Sequence, residues 1–112
     1  MKVGKRVESD VTILQPQGRI DAASLQEFAA SINRAAQDGV KKLLIDFSQT
    51  DYMSSAGVRV LIEGKKAMEA VEGDMAFCSV NDQLKELFEV VRLDRFFEIF
   101  ATEFEALDKF LD

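Results

Sequence analysis

Histidine is absent from these 112 residues, and cysteine and proline occur once each. Each shortage removes a class of chemistry. Without histidine there is no imidazole base, no Ser-His-Asp or Cys-His pair, and none of the commonest transition-metal ligand. A lone Cys78 allows no internal disulfide and offers no zinc-binding spacing, which suits a reducing compartment. No apolar run approaches the roughly 18 residues that span a bilayer, and Met1-Lys2-Val3-Gly4-Lys5 lacks the apolar stretch of a signal peptide. The expectation is a cytoplasmic chain with no catalytic residues, no metal site and no cofactor. Positive charge is also scarce: fourteen Lys and Arg face twenty Asp and Glu, a net charge of −6. Such a surface repels DNA and anionic lipid, so neither a nucleic-acid partner nor direct membrane insertion is expected. Gly4-Lys5 and Gly64-Lys65 lack the spacing of a phosphate-binding loop.

What is present is ordinary core-forming material for one domain spanning 1–112, with 47% hydrophobic and 30% charged residues. Lys2–Val7 and Val11–Gln17 read as two strands joined by Glu8-Ser9-Asp10, with Pro16 marking an edge or a strand end. Asp21 stands as the N-cap of a helix from Ala22 to Gln37, whose stripe is Leu25, Phe28, Ala29, Ile32, Ala35 and Ala36. Asp38-Gly39 ends it. The apolar run Leu43, Leu44, Ile45 and Phe47 predicts a strand covered on both faces. A second helix opens at Ser54 or Ser55 with Val58, Leu61, Ile62, Met68 and Val71 inward. Met75–Val80 predicts a strand, and Leu84, Leu87, Phe88 and Val91 a third helix capped by Asn81 or Asp82. Phe97–Phe100 predicts a last short strand, with the aromatic cluster from Phe96 to Phe104 closing the core. Thr102 and Glu105 fit a capping box for a final helix with Phe104, Leu107 and Leu111 inward. The element order describes a small α/β domain with a mixed sheet, whose functional groups belong on loops at the strand C-terminal ends.

One such loop follows the third predicted strand: Asp51-Tyr52-Met53-Ser54-Ser55-Ala56-Gly57-Val58-Arg59 places two hydroxyls at the mouth of a helix. By spacing alone, either serine reads as an N-cap. A serine nucleophile has no histidine to activate it. Gly57, in the first turn, either lets a neighbouring backbone or a partner approach closely or is a packing choice. Arg59 is either a solvated helix position or a contact for an acidic patch. Asp21 reads as a cap or as part of the loop rim, and Asp46 as a solvated strand end or part of the same rim, beside Asp51.

Read together, Asp51-Tyr52-Met53-Ser54-Ser55-Ala56-Gly57-Val58-Arg59-Val60-Leu61-Ile62 resembles the signature of STAS domains, the fold of bacterial anti-sigma factor antagonists and of sulfate-transporter tails. Gly18-Arg19-Ile20-Asp21, Leu43-Leu44-Ile45-Asp46 and the late Leu84-to-Phe88 and Phe96-to-Phe100 segments extend the likeness over nearly the whole chain. The resemblance implies a single STAS domain, a small mixed sheet with helices packed mainly on one face. It also implies an anti-sigma factor antagonist in a partner-switching pathway. In such a pathway the unphosphorylated domain binds and sequesters an anti-sigma factor that is also a serine kinase of the ATP-binding type. Phosphorylation releases the kinase, which recaptures the sigma factor, and a PP2C-type phosphatase resets the domain. Aligned on the motif, the phosphorylated serine falls on Ser55, with Ser54 as the second candidate. Asp21, Asp51, Met53, Ser54, Ser55, Ala56, Gly57 and Arg59 then form the partner-binding surface of a chain that is monomeric when free. Two other outputs share the fold: control of a target other than a sigma factor, and a non-enzymatic subunit of a membrane transport complex.

Overall fold

The computed structural model describes residues 1–110. β1 (Lys2–Glu8) and β2 (Val11–Ile20) form an antiparallel hairpin in which Lys2 lies opposite Gln17 and Glu8 opposite Val11. α1 (Leu25–Gln37) leads to β3 (Lys42–Asp46), followed by β4 (Thr50–Met53) and α2 (Ser55–Ala70). β5 (Asp74–Cys78), α3 (Asp82–Val90), a single 3-10 turn at Leu93–Arg95, β6 (Ile99–Phe100) and α4 (Glu103–Phe110) complete the chain. The strands run β1-β2-β3-β5-β6 across one mixed sheet, parallel at every junction after the hairpin.

Alternation along β3 explains the layers. Leu43 and Ile45 enter the larger core with Phe28 and Ile32 of α1, Leu61 and Met68 of α2, and Leu84 and Phe88 of α3. Leu44 points the other way, into a smaller core with Val11, Ile13, Ala76, Cys78 and Ala106 of α4. Three helices thus cover one face and one short helix the other, as expected. Phe47, Phe77, Phe88 and Phe97 form the aromatic centre of the larger core, with ring centroids 4.3–5.8 Å apart.

β4 is an element the sequence reading did not contain. β2 pairs with β3 from Val11 to Leu14 and then with β4 from Gly18 to Ile20. The register shifts between Gly18 and Arg19, and Gly18 takes φ +92°, a conformation open to glycine at little cost, which lets β2 change partners. Pro16 is therefore at neither an edge nor a strand end. It falls in the gap between the two pairings, where a missing N–H removes no bond from the parallel ladder, and its carbonyl accepts the Thr50 hydroxyl at 2.9 Å.

α1 begins at Leu25 rather than Ala22. Ser24 Oγ accepts the Asp21 N–H at 3.0 Å and donates to the Arg19 carbonyl at 2.6 Å, closing a turn before the helix starts. Asp21 Oδ1 accepts from Ala23 N–H within that turn, so Asp21 caps the turn and not the helix. Asn81 caps α3 as expected, accepting the Leu84 N–H at 2.8 Å. Gly39 ends α1 and the Thr102 hydroxyl accepts the Glu105 N–H.

Some apolar residues face outward against expectation. The buried residues of α2 are Gly57, Val58, Val60, Leu61, Gly64 and Met68, which leaves Ile62 41% exposed and Val71, the C-cap, half-buried. Val91 ends α3 on its exposed side. In α4 Ala106 is buried and Leu107 packs partly against the same core, as expected, but Phe104, two positions and about 200° from Ala106, is 81% exposed. Phe96 is also exposed, and Phe97 alone of that pair enters the core. Leu111 lies outside the described residues.

Glu103 of α4 and Asp46 of β3 form an interacting carboxyl pair with shifted pKa values. Asp46, at the end of β3, is 4% exposed and faces α4, so it is not a solvated strand end. Burial pushes its pKa up, but hydrogen bonds from Glu103, Ser48 and Gln15 outweigh that and hold it below the usual value. Burial and the shared hydrogen bond with Asp46 raise Glu103, with Arg6, its ion-pair partner, opposing. The folded state therefore keeps the Glu103 proton longer than the unfolded chain does. That contribution is full below the unfolded carboxyl range and disappears as pH rises through the folded value. Glu103→Gln keeps a donor toward Asp46 at every pH. Urea midpoints of parent and variant, compared at pH 4 and pH 7, should show the variant gaining on the parent as pH rises. A pH-independent difference would contradict a raised Glu103.

Candidate functional site

The site lies where β2 and β4 end together and α2 begins. Arg19 pairs with Tyr52 and Ile20 with Met53 across the two strands, and the Ser54 N–H donates to the Ile20 carbonyl at 2.9 Å. These bonds hold the first turn of α2 over the strand ends. Ser54 occupies the N-cap position in extended conformation, yet its side chain caps nothing, and α2 has no acidic residue in its first turn. The free N–H groups at this terminus therefore have no side-chain anion of their own.

The two serines differ in access. Ser55, the first residue of α2, is exposed. Ser54 Oγ is sealed from solvent and has no hydrogen-bond partner among the described residues. A reagent arriving from outside meets the Ser55 hydroxyl first.

Of the other expected surface residues, Ala56 and Arg59 are exposed on the outer side of α2, and Asp51 is exposed on β4. Asp21 is half-buried beside them, with Arg19 Nε 3.6 Å from its carboxylate. Met53 and Gly57 belong underneath. Met53 is 3% exposed, and a Cβ on Gly57 would stand 2.6 Å from Met53 Cγ and 3.1 Å from Ile20 Cγ2. The close approach at Gly57 is thus with side chains of the domain's own core. Asp46 is on the opposite face and adds no charge to this rim.

Two features were missed from the sequence. The Arg19 guanidinium stacks over the Tyr52 ring at 4.3 Å, so a pinned aromatic stands beside Ser55. The cross-strand pairing that makes this contact depends on β4, which four residues with no alternation did not reveal. Next to it, α3 and the β4–α2 junction enclose a cleft of about 430 Å³ with Ser55 in its wall. Nothing in the helical spacing of α3 signalled that its outer side borders the serine.

Cys78 carries no chemistry here. Burial, the largest cause, pushes its thiol up to about 12, where thiolate is scarce at neutral pH. Among the described residues no helix is long and apolar enough to cross a membrane, and no group of three His, Cys, Asp or Glu could hold a metal ion.

Comparison with known proteins bears on the whole arrangement. A family model described as STAS domain matches residues 2–106. BtrV of Bordetella bronchiseptica, named as a candidate anti-sigma factor antagonist, is 28% identical over 74 residues. The match covers 66% of this chain and 64% of that protein, so it spans under two thirds of BtrV. The crystal structure of an anti-sigma factor antagonist from Mycobacterium paratuberculosis has a TM-score of 0.91 at 19% identity, covering 99% of this chain and 94% of its own. SpoIIAA, a Bacillus cell fate determinant solved in its phosphorylated form, has a TM-score of 0.74 at 22% identity, covering 96% and 98%. At such identities the structures share the fold, a mixed sheet with helices arranged as described above. With the family model spanning nearly all of the sequence, the chain belongs to the STAS domain family.

Proposed function

We propose that this chain is an anti-sigma factor antagonist that acts by partner switching, with Ser55 as the phosphorylated residue. The unphosphorylated domain binds an anti-sigma factor that is also a serine kinase. The kinase transfers the γ-phosphoryl group of ATP to Ser55 Oγ, which gives up its proton as ADP leaves. The charged domain then separates from the kinase, and a PP2C-type phosphatase restores the hydroxyl with water. The names of the relatives support the antagonist role, and the phosphorylated form of SpoIIAA supports a phosphoryl switch on this fold.

The observation that carries the reading is the contrast between the two serines. Ser55 offers an exposed hydroxyl at a helix N-terminus with no side-chain cap and no first-turn acid, whereas the Ser54 oxygen is sealed. A phosphate adds about −1.5 to −2 charges there, and the helix terminus tolerates an anion, favouring it by roughly 0.3–1 kcal/mol. Phosphorylation therefore leaves the domain folded and acts on what can dock.

The test is incubation with ATP and the ATP-binding serine kinases of the same organism, read by intact mass and site mapping. One phosphate, on Ser55, is the expected result. No phosphate from any of them, together with co-purification with a transport ATPase, would overturn the switch in favour of a transport subunit.

A further inference from the structure

We propose that the cleft between β4 and α3 is a socket for one apolar side chain of the same kinase that meets Ser55, so that one surface both docks the kinase and presents its substrate. The proposal rests on the partner-switching reading and adds the place where the kinase grips.

α3 has two apolar sides. Leu84 and Phe88 face the larger core. Leu87, partly packed on that core, and Val90, 73% exposed, border the cleft. The opposite wall is Tyr52 and Ser55, and the buried Met53 lies at the base. The Arg19 guanidinium covers one face of the Tyr52 ring at 4.3 Å and lies 3.6 Å from the Asp21 carboxylate, contacts that restrict the ring before anything binds. A preordered aromatic wall facing an aliphatic one is the arrangement that gains most from an inserted apolar side chain, since little ordering remains to be done.

Continuity with the serine argues for the occupant. Ser55 is itself part of the cleft wall, so a protein whose active site reaches the Ser55 hydroxyl covers the cleft as well. Glu86 also borders it, which disfavours an acidic insert and leaves an apolar one as the better fit. The arrangement also links the two states of the switch. A dianion on Ser55 stands at the mouth of an apolar socket, where a docked partner would strip its water without supplying a counter-charge. Phosphorylation then undoes the grip that made it possible.

Binding of the kinase identified by phosphate transfer, measured by calorimetry with ADP present, tests the socket. Val90→Asp changes an exposed position and should move the thermal midpoint by no more than a few degrees, the small effect of an acid in the last turn of α3 four residues after Glu86, while weakening kinase binding at least tenfold. Val91→Asp, on the neighbouring exposed residue outside the cleft, is the control and should leave affinity within about threefold. In steady-state phosphorylation, Val90→Asp should raise KM with little change in kcat, because the hydroxyl itself is untouched. If Val90→Asp binds like the parent while Ser55→Asp does not, the socket is wrong and the Ser55 switch survives. If Val91→Asp weakens binding as much as Val90→Asp, the cleft is not the determinant. A parent chain that binds none of these kinases overturns both ideas.

Discussion

Ser55→Asp should lower affinity for the kinase at least a hundredfold while the thermal midpoint moves by no more than a few degrees. The two halves have separate causes. For the fold, Ser55 is exposed, and the N-terminus it opens has neither a side-chain cap nor a first-turn acid, so a carboxylate arrives where the helix dipole favours one. For binding, a partner shaped around a hydroxyl must desolvate an unpaired charge, and an uncompensated buried charge costs several kcal/mol. About 2.8 kcal/mol already gives the hundredfold. A true phosphate, with roughly twice the charge, should act more strongly still. Ser55→Ala should bind within a few-fold of the parent and, lacking an oxygen, never let go. Calorimetry on both variants decides the matter: equal affinity for Asp and Ala would mean that charge at Ser55 does not choose the partner.

Much of the framework was legible because large apolar residues repeat along α1 and cluster in β3. The failures have physical reasons that can be located. Glycines were not counted as core residues, yet Gly57 and Gly64 lie on the buried line of α2, where a Cβ would stand 2.6 Å from Met53 Cγ and 2.8 Å from Ile32 Cγ2. Counting only bulky residues shifted the inferred face and drew in Ile62. Phe104 was placed inside for its hydrophobicity, but in an eight-residue helix Ala106 holds the buried position and geometry overrides residue type. Asp46 reads from sequence as a solvated strand end or a rim residue; alternation puts it on the side of Leu44, but its cover by α4 is a contact 57 residues away in sequence that no local pattern encodes. β4 escaped because it is short and its burial runs buried, exposed, exposed, buried. That omission concealed the Arg19–Tyr52 pair and hence one wall of the site. Ser55, by contrast, was legible through its motif, although only coordinates separate its exposed hydroxyl from the sealed one at Ser54.

Phe77→Ala should destabilise the domain by about 3–5 kcal/mol, the usual cost of emptying a buried phenylalanine site, whereas Phe104→Ala should change it by less than about 0.5 kcal/mol. Composition does not distinguish these two phenylalanines, but their surroundings do. Phe77 is fully buried in β5, between β3 and β6, with Phe97 stacked at 4.3 Å and Phe47 and Phe88 at 5.4 and 5.7 Å. These three rings come from three different elements or loops, so no single side chain can move to fill the space. Against a total stability of about 5–15 kcal/mol, a loss of that size brings the urea midpoint down by a large fraction. The effect should reach the site as well. Phe88 anchors α3, the helix that forms one wall of the cleft beside Ser55, and Phe47 opens the loop that leads from β3 into β4. A cavity between them loosens the seating of α3, so Phe77→Ala should bind the kinase more weakly even where it remains folded, while Phe104→Ala, on the far side of the sheet, should bind normally. Equal urea midpoints for the two variants would show that the aromatic cluster does not hold the domain together.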